Sequence, residues 1–338
     1  MMNTNRKPII VTLGEPSSIA AEITLKSWFA LHNNPRYCFV WHTDPEFAKS
    51  VCTQLRINVQ LKVISDPKDA EPHFYSHLPI WPMQLPVKPQ FGKPNMENCR
   101  AAADSIRQSV EWCHAHKFDA MVTNPIHKSA MRESGFKFPG HTEYLGELCG
   151  GMKTVMMLAN DQLRVIPLTG HIALADVAAK LDMGHLRFVC KTANDSLRQY
   201  FGVGKPRIAV AGLNPHAGEN ATMGREEQSL IAPAIGQLQR DGFNVTGPHS
   251  ADTLFFAESR AGYDVAIGMY HDQVLIPIKT VDFWNTVNVT LGLDIIRTSP
   301  DHGTALDIAG KGVAKADSMA AAIRMARHMA DRKSAALL

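Results

Sequence analysis

The sequence lacks the features that mark several large classes of protein. Its 338 residues include six cysteines, none of them in a C-x-x-C pair, which indicates neither a zinc ribbon nor a redox dithiol. No apolar run approaches the roughly 18 residues of a membrane-spanning helix, and the opening MMNTNRKPIIVTLG has no long apolar stretch of the secretory type. The formal net charge of +3 is too small to indicate a nucleic-acid partner. These absences predict a cytoplasmic protein with reduced thiols and with neither a nucleic-acid nor a membrane partner.

Strand-like and helix-like segments alternate along the chain. Apolar runs at 8–13, 37–42 and 118–125 predict buried strands, and the patterns between them predict helices. The runs KTVMMLA (153–159) and LRVIPL (163–168) predict a hairpin, so that part of the sheet is antiparallel. The alternation predicts an α/β fold with a mixed sheet, and the length favours two domains.

Two further segments are less regular in pattern. Residues 66–97 are rich in proline and polar residues but also contain aromatics, which favours a packed irregular excursion. A helix expected at about 317–332 carries Arg324, Arg327 and Arg332, and we expect them to form a solvated basic face.

A histidine follows each of three predicted strands. His171 comes after LRVIPL, His216 after RIAVAGL and His271 after YDVAIGMY. A single histidine in such a place is usually a packed, hydrogen-bonded residue. Three equivalent placements favour a shared divalent metal, because three imidazoles with an open fourth position are typical of catalytic zinc. Spacing alone leaves open whether the rings converge.

Polar and basic residues stand at other segment ends. His141 and Thr142, in PGHTEYLGE, lie where a helix should begin, so Thr142 is either an ordinary N-cap or part of an anion site. Lys279 and Arg297 end or follow apolar runs, where a basic side chain is costly unless it meets an anion. Together with Asn288 they would suit a doubly anionic substrate, and internal salt bridges are the equal alternative.

Two glycine-containing stretches have a functional composition. In NPHAGENATMGREE (214–227), Asn214 and the glycines allow close approach of a ligand, while Glu226 and Glu227 favour the first turn of a helix. An ordinary turn before a helix is the alternative. In SPDHGTALDIAGKG (299–312), glycines and small residues surround polar side chains, and composition alone indicates only a functional loop.

Taken together, these stretches resemble the 4-hydroxythreonine-4-phosphate dehydrogenase family of vitamin B6 biosynthesis. The matching motifs are GHTE, GLNPHAGE, GREE, ADTLF, MYHDQ, VNVTLGL, IRTS and DHGTALDIAGKG, in order over residues 120–312. The last is also similar to the adenine-binding loop of isocitrate and isopropylmalate dehydrogenases. The resemblance implies a three-layer α/β/α fold, and because no G-x-G-x-x-G follows the first strand, we expect the cofactor to bind in a different manner from a Rossmann protein.

The resemblance also implies an organisation into two domains. Residues 1–125 with 300–338 would hold part of the cofactor site, and residues 126–299 would hold the metal ligands and a homodimer interface. The active site would be shared across that interface.

The implied reaction is oxidation of 4-phosphooxy-L-threonine to 2-amino-3-oxo-4-phosphooxybutanoate, which decarboxylates to 3-amino-2-oxopropyl phosphate. The implied cofactors are NAD, with NADP as the alternative, and one divalent metal, with zinc favoured over cobalt, magnesium or manganese. The metal ligands would be His171, His216 and His271, and the substrate contacts His141, Thr142, Lys279, Asn288 and Arg297. The cofactor contacts would be Asn214, Asp301, His302, Gly303, Thr304 and Asp307. Lys279 is favoured for proton handling, Asp272 and His141 are rivals, and Asp252 would support the polar site.

Two stretches depart from the family pattern. GEPSSIAAE (14–22) has serines and alanines in a segment that is usually glycine-rich, which disfavours positive φ there, and DFWNTVN (282–288) carries the bulky Trp284. Three alternatives therefore remain. One is a paralogous dehydrogenase acting on 4-phospho-threonate or 4-phospho-erythronate, another is a zinc hydrolase, and the third is a binding protein without turnover.

Overall fold

A computed structural model describes residues 6–335, and the chain divides into two compact units. Among the described residues, unit 1 comprises 6–154 and 293–331, and unit 2 comprises 155–292 and 332–335. The domain roles expected for 1–125 with 300–338 and for 126–299 stay a prediction. The first five residues, part of the segment predicted to lack a secretory signal, lie outside the described residues. Between residues 6 and 335, no helix is both long and apolar enough to cross a bilayer.

Unit 1 is built on six strands, each parallel to its neighbours. They are β1 (Ile9–Val11), β2 (Phe39–Thr43), β3 (Leu61–Val63), β4 (Leu78–Pro82), β5 (Ala120–Val122) and β12 (Arg297–Pro300), in the order β3-β4-β2-β1-β5-β12. All three residues of β1 and of β5 are buried, with no polar face, as in parallel sheets covered on both sides.

The helices of unit 1 begin at recognisable caps. Asp44 accepts hydrogen bonds from the main-chain N–H groups of Glu46 and Phe47, and Asn95 caps the helix that begins at Met96 in the same way. The helices are α1 (Ala20–Leu31), α2 (Pro45–Leu55), α3 (Ala70–Phe74), α4 (Met96–His114), α5 (Lys128–Glu133), α6 (His141–Leu148) and α12 (Asp317–Ala335), the last of which runs from unit 1 into unit 2.

Two expectations for unit 1 are wrong. The segment 66–97 contains α3 and β4. The strand was missed because Pro79 and Pro82 lack a main-chain N–H to donate to a neighbouring strand, so prolines usually indicate that a segment is not a strand. Arg327 is 1% exposed, and its Nη1 donates to Oδ2 of Asp119 at 2.9 Å, so this arginine is no part of a solvated face. Its carboxylate partner is distant in sequence, which is why the local pattern could not reveal it.

Unit 2 contains a mixed sheet, as predicted. Its strands are β6 (Val155–Ala159), β7 (Arg164–Pro167), β8 (Ile208–Ala211), β9 (Val245–His249), β10 (Val265–Gly268) and β11 (Val287–Leu291), in the order β11-β6-β7-β10-β8-β9. β6 is antiparallel to β11 and β7, which confirms the hairpin, and the remaining pairs are parallel. The prediction of an α/β fold with a mixed sheet is confirmed.

The helices of unit 2 include one that the sequence concealed. They are α7 (Val177–Lys180), α8 (Met183–Phe201), α9 (Ala232–Arg240, preceded by a π-helical turn over Glu227–Ile231), α10 (Ala257–Arg260) and α11 (His271–Val281). The apolar run VLIPIK lies within α11, where Val274, Leu275 and Ile278 form the buried face and Ile276 is exposed. Lys279 is therefore a helical residue.

Candidate active site

Three histidines lie at the carboxyl ends of three adjacent parallel strands of unit 2. β7, β10 and β8 are neighbours in that order, and they lead into His171, His271 and His216 respectively. The ring centroids of His171 and His271 are 5.6 Å apart. The strand order thus brings the three residues to one edge of the sheet, here called the histidine edge. This is the edge at which ligands bind in α/β sheets.

Hydrogen bonds tie the three strand ends together. The Thr169 hydroxyl donates to the Met269 carbonyl at 2.7 Å, which links the β7 and β10 ends. Gln273 accepts from the Met269 N–H at 2.7 Å through Oε1 and donates from Nε2 to the Gly212 carbonyl at 2.8 Å, which links the β10 and β8 ends. Thr169 and Gln273 were missed from the sequence, although both stand within three residues of a candidate ligand.

Asp272 orients the ring of His271. Its Oδ1 lies 2.6 Å from Nδ1 of His271, so the ring donates its Nδ1 hydrogen and Nε2 retains a lone pair. A carboxylate on the second ring nitrogen is the usual partner of a metal-binding histidine. The geometry therefore suits Asp272 to a supporting role beside His271.

His216 lies in a left-handed turn. All residues from 216 to 221 have positive φ, including 52° at His216 and 39° at Glu219. Left-handed conformations cost about 1–2 kcal/mol for each residue with a side chain, so the turn must be held by its surroundings. Gly218 is required, because a Cβ there would lie 2.6 Å from Oε2 of Glu227.

The carboxylate of Glu227 holds this turn. Glu227 is 3% exposed, and its Oε1 accepts from the main-chain N–H groups of Leu213 at 2.8 Å and of Asn214 at 2.7 Å. Its Oε2 accepts from Nδ2 of Asn214 at 2.9 Å, and the same nitrogen donates to Glu226 at 2.7 Å. Glu227 is thus a loop anchor, a role that the sequence did not reveal, and the cofactor role of Asn214 stays a prediction.

Asp252 adds a second carboxylate near His216. It lies in a 3₁₀ turn over Ala251–Thr253, and Ser250 donates a hydrogen bond to it at 2.5 Å. That hydrogen bond is the largest cause that lowers the pKa of Asp252, and the electrostatic interaction with His216 is a smaller one. Asp252 is therefore ionised at neutral pH and interacts electrostatically with His216.

Lys279 and Asn288 lie on neighbouring elements of unit 2. Lys279 is half-buried on α11, the helix that begins with His271, and its Nζ stands 5.7 Å from the ring centroid of Phe283. Asn288 is half-buried on β11, in register with Leu158 of β6. Their substrate roles stay predictions.

In unit 1, basic groups meet at the start of α6. Gly140 is the N-cap in an extended conformation and His141 is the first helical residue, so the prediction of Thr142 as N-cap is wrong. The Nε2 atom of His141 is buried and, among residues 6–335, has no hydrogen-bond partner. Burial, with the positive charges of Arg297 and Lys128, lowers the pKa of His141 well below its usual value.

Arg297 is the buried member of this group. It is 3% exposed at the start of β12, and its Nε and Nη2 donate to Oγ1 of Thr123 at 3.1 and 2.6 Å. Burial lowers its pKa to about 9, so it remains charged at neutral pH. Lys128 was missed, although NPIHKSA directly follows a predicted strand. His141, Lys128 and Arg297 are here called the basic cluster, which suits an anion.

Most residues predicted to bind the cofactor lie in one irregular loop of unit 1. The main-chain carbonyl of Thr304 accepts from the N–H of Ile19 at 3.2 Å, which joins this loop to the segment 14–22. A side chain at Gly303 would meet nothing within 4 Å, so the backbone there is open to a ligand. The loop residues in question are Asp301, His302, Gly303, Thr304 and Asp307.

The unusual GEPSSIAAE segment is not strained by its serines and alanines. Within residues 14–22, only Gly14 has a positive φ, at 73°. A Cβ at Gly14 would lie 2.4 Å from Cβ of Asn124, so glycine is required at this position alone. The expected conformational conflict therefore does not arise.

Comparisons with known proteins agree on one family. The sequence profile of the family described as "Pyridoxal phosphate biosynthetic protein PdxA" matches residues 36–326. A protein named 4-hydroxythreonine-4-phosphate dehydrogenase from Ruegeria sp. (strain TM1040) is 46% identical over 324 residues, covering 95% of this chain and 96% of that protein. The protein of the same name from Roseobacter denitrificans is 46% identical over 98% of this chain and 99% of its own length. A crystal structure of the Klebsiella pneumoniae namesake matches with a TM-score of 0.88 at 35% identity, covering 97% of this chain and 99% of that one.

Proposed function

The chain belongs to the PdxA family of pyridoxal phosphate biosynthetic proteins, and we propose that it oxidises 4-phosphooxy-L-threonine with NAD and a divalent metal ion. The product, 2-amino-3-oxo-4-phosphooxybutanoate, then loses carbon dioxide to give 3-amino-2-oxopropyl phosphate. The chain is an oxidoreductase of the PdxA type, because the relatives that match it over nearly its whole length are named dehydrogenases. The observation that carries the metal-dependent part is the placement of three histidines at adjacent strand ends.

His171, His216 and His271 are the proposed metal ligands. Their donor set fits a divalent ion, because imidazole nitrogens suit zinc and Asp272 leaves Nε2 of His271 available. Asp252 adds negative charge close to His216. Zinc is favoured, cobalt and manganese are alternatives, and magnesium fits least because it prefers oxygen ligands. When bound, the ion would supply Lewis-acid stabilisation of negative charge on a substrate oxygen.

The basic cluster is the proposed anion site for the substrate. Lys128 and Arg297 are two basic side chains in one place, which match a phosphate dianion. His141, kept neutral by its surroundings, can still donate or accept one hydrogen bond through its buried Nε2. Thr142, Lys279 and Asn288 are further proposed contacts.

Alcohol oxidation releases a hydride, which NAD accepts, and a proton, which a side chain must take. Lys279 is the proposed proton acceptor, and Asp272 is the rival because it stands at the histidine edge itself. Lys279→Met should abolish turnover while metal content stays unchanged. Normal turnover by this variant would transfer the role to Asp272.

The irregular loop containing Asp301, His302, Gly303, Thr304 and Asp307 is the proposed cofactor site, together with Asn214. The open backbone at Gly303 supports contact with a ligand there. NAD is favoured and NADP is the alternative. Initial rates with each nucleotide at equal concentration decide between them.

A homodimer is also proposed. Large apolar side chains of unit 2 that follow His171 or lie on or just after α11 are exposed, which supports an interface beside the histidine edge. They are Ile172 at 41%, Leu174 at 69%, Ile276 at 63%, Phe283 at 56% and Trp284 at 46% exposure. Sedimentation of wild type and of Ile276→Glu tests this, and a monomeric wild type would contradict it.

The proposed location is the cytoplasm. All six cysteines are free thiols, which is typical of a reducing compartment. Fractionation of the producing cell with compartment markers checks this.

The decisive experiment measures NADH formation with purified, metal-loaded protein. We expect turnover on 4-phosphooxy-L-threonine and much slower turnover on 4-phospho-threonate and 4-phospho-erythronate, which carry a hydroxyl in place of the amine. Faster turnover on a sugar acid would assign the paralogous activity. Release of phosphate without NADH would instead indicate a hydrolase using Asp252 or Asp272 as base.

A further inference from the structure

A second group of metal-binding side chains lies in unit 1 and shares no residue with the histidine edge. His114 is the last residue of α4, Cys149 directly follows α6, and Asp294 precedes β12. One ligand atom from each residue, namely a ring nitrogen, the sulfur and a carboxylate oxygen, lies within 4.8 Å of the other two. Nε2 of His114 is 3.0 Å from Oδ1 of Asp294, and the Cys149 thiol also donates to this carboxylate. Three different ligand types therefore already share one centre.

The surroundings of this group favour a cation. The carboxyl ends of α4 and α6 both reach it, and helix carboxyl ends carry partial negative charge. The backbone around Asp294 is fixed, because Leu293, Ile295 and Ile296 are at most 6% exposed. Cys149 is 6% exposed, whereas the side chains of His114 and Asp294 are 37% and 48% exposed, so the group is shielded on the sulfur side and open to water on the other. A thiolate and a carboxylate here would balance the charge of one divalent ion.

We propose that His114, Cys149 and Asp294 form a second site for one zinc-type divalent ion per chain, with water as the fourth ligand. Nitrogen, sulfur and oxygen ligands together select zinc or cobalt over magnesium and calcium. Binding replaces the thiol proton of Cys149, which passes to solvent. The ion joins the carboxyl ends of α4 and α6 to the segment before β12. Because α6 begins with His141, the site would also fix the helix that presents the basic cluster.

Cobalt substitution tests this site without any assay of turnover. A thiolate bound to Co²⁺ gives an intense near-ultraviolet charge-transfer band, and the three ligands proposed at the histidine edge are imidazoles without a thiol. We expect the band to reach its maximum within two equivalents of Co²⁺ in the chelator-treated wild type, one for each proposed site. It should persist in His271→Ala, which disrupts only the histidine edge, and in Cys190→Ala, which removes a different buried thiol. It should vanish in Cys149→Ala.

Two further measurements guard against a folding artefact. Thermal unfolding without metal should place Cys149→Ala close to wild type, while added Zn²⁺ should raise the melting temperature of wild type more than that of the variant. Asp294→Asn should weaken Co²⁺ binding at the thiolate site by more than about 100-fold, since even an outer partner of a metal ligand is worth 10–100-fold. A folded wild type without the band, or a band that survives in Cys149→Ala, would overturn the proposal. The three side chains would then serve only as hydrogen-bonding partners at the ends of α4 and α6. Neither result bears on the dehydrogenase activity, which NADH formation tests separately.

Discussion

Replacement of Glu227 should loosen the turn that carries His216. In Glu227→Ala, the main-chain N–H groups of Leu213 and Asn214 lose their acceptor, and the side-chain amide of Asn214 keeps only its hydrogen bond to Glu226. Each of these three lost hydrogen bonds costs about 1–2 kcal/mol for a partly buried donor, so the local opening free energy should fall by about 3–6 kcal/mol. Without the carboxylate of Glu227 the turn would be unfavourable in its present conformation, because residues 216 to 221 all have positive φ.

Amide hydrogen exchange measures this opening directly. A fall of 3 kcal/mol corresponds to more than about 100-fold faster exchange in peptides covering 213–224, while peptides from β10 should exchange as in wild type. Metal affinity should fall in parallel, because His216 would no longer be held. Glu227→Gln, which keeps the shape and one acceptor oxygen, should give an intermediate result.

The control is Glu219→Ala, which makes the same chemical change on an exposed residue of the same turn. It should leave exchange and metal affinity close to wild type. If Glu227→Ala exchanged no faster than Glu219→Ala, the assignment of Glu227 as the anchor would be refuted.

Three other predictions concern the basic cluster, the histidine edge and a buried histidine of unit 1. Lys128→Met should raise KM for the phosphorylated substrate by about 10–100-fold, because a hydrogen bond to a charged group contributes about 1.5–3 kcal/mol. Lys137→Met, at an exposed lysine, is the control. Equal KM values for the two variants would show that Lys128 does not contact the substrate. Asp272→Ala should weaken metal binding by about 10–100-fold in competition titrations with a chromophoric chelator, because Nδ1 of His271 loses its partner. Burial lowers the pKa of His42 from 6.5 to about 4, so folding stability should be fully present above pH 6.5 and be lost as pH falls toward 4, by about 3 kcal/mol from this group. Urea unfolding at several pH values should show a weaker pH dependence in His42→Gln, and identical slopes would contradict the prediction.

The sequence predicted those parts of the fold that depend on local pattern. Strands such as β1 and β10 are uninterrupted apolar runs, and the β6–β7 hairpin has a short polar tip, so each was visible in a window of a few residues. α11 was concealed because the exposed Ile276 is apolar as well and Pro277 is unusual inside a helix. VLIPIK therefore reads as a continuous apolar run and not as a helical pattern. The periodicity of its buried positions was the signal that could have identified it.

The site was predicted to the extent that strand ends determine it. Because the carboxyl ends of parallel strands meet at one edge, a histidine after each of three strands was enough to suggest a shared centre. The sequence could not give the strand order, and the adjacency of β7, β10 and β8 is what the structure adds. Arg327 and Asp119 illustrate the same limit, since their contact joins positions 208 residues apart.

What holds the histidine edge in shape is a second layer of carboxylates and amides with no signature of its own. Asp272 orients a ring, Gln273 joins two strand ends, and Glu227 holds a left-handed turn. Each side chain acts through a hydrogen-bond acceptor or donor that the fold positions. Substitutions that change only its charge and substitutions that also change its shape should therefore affect the histidine edge to different extents. An amide in place of Glu227 keeps shape and loses charge, whereas alanine loses both. If the amide variant held the turn as firmly as wild type, shape alone would fix His216, and if it failed like alanine, the negative charge would be the essential property.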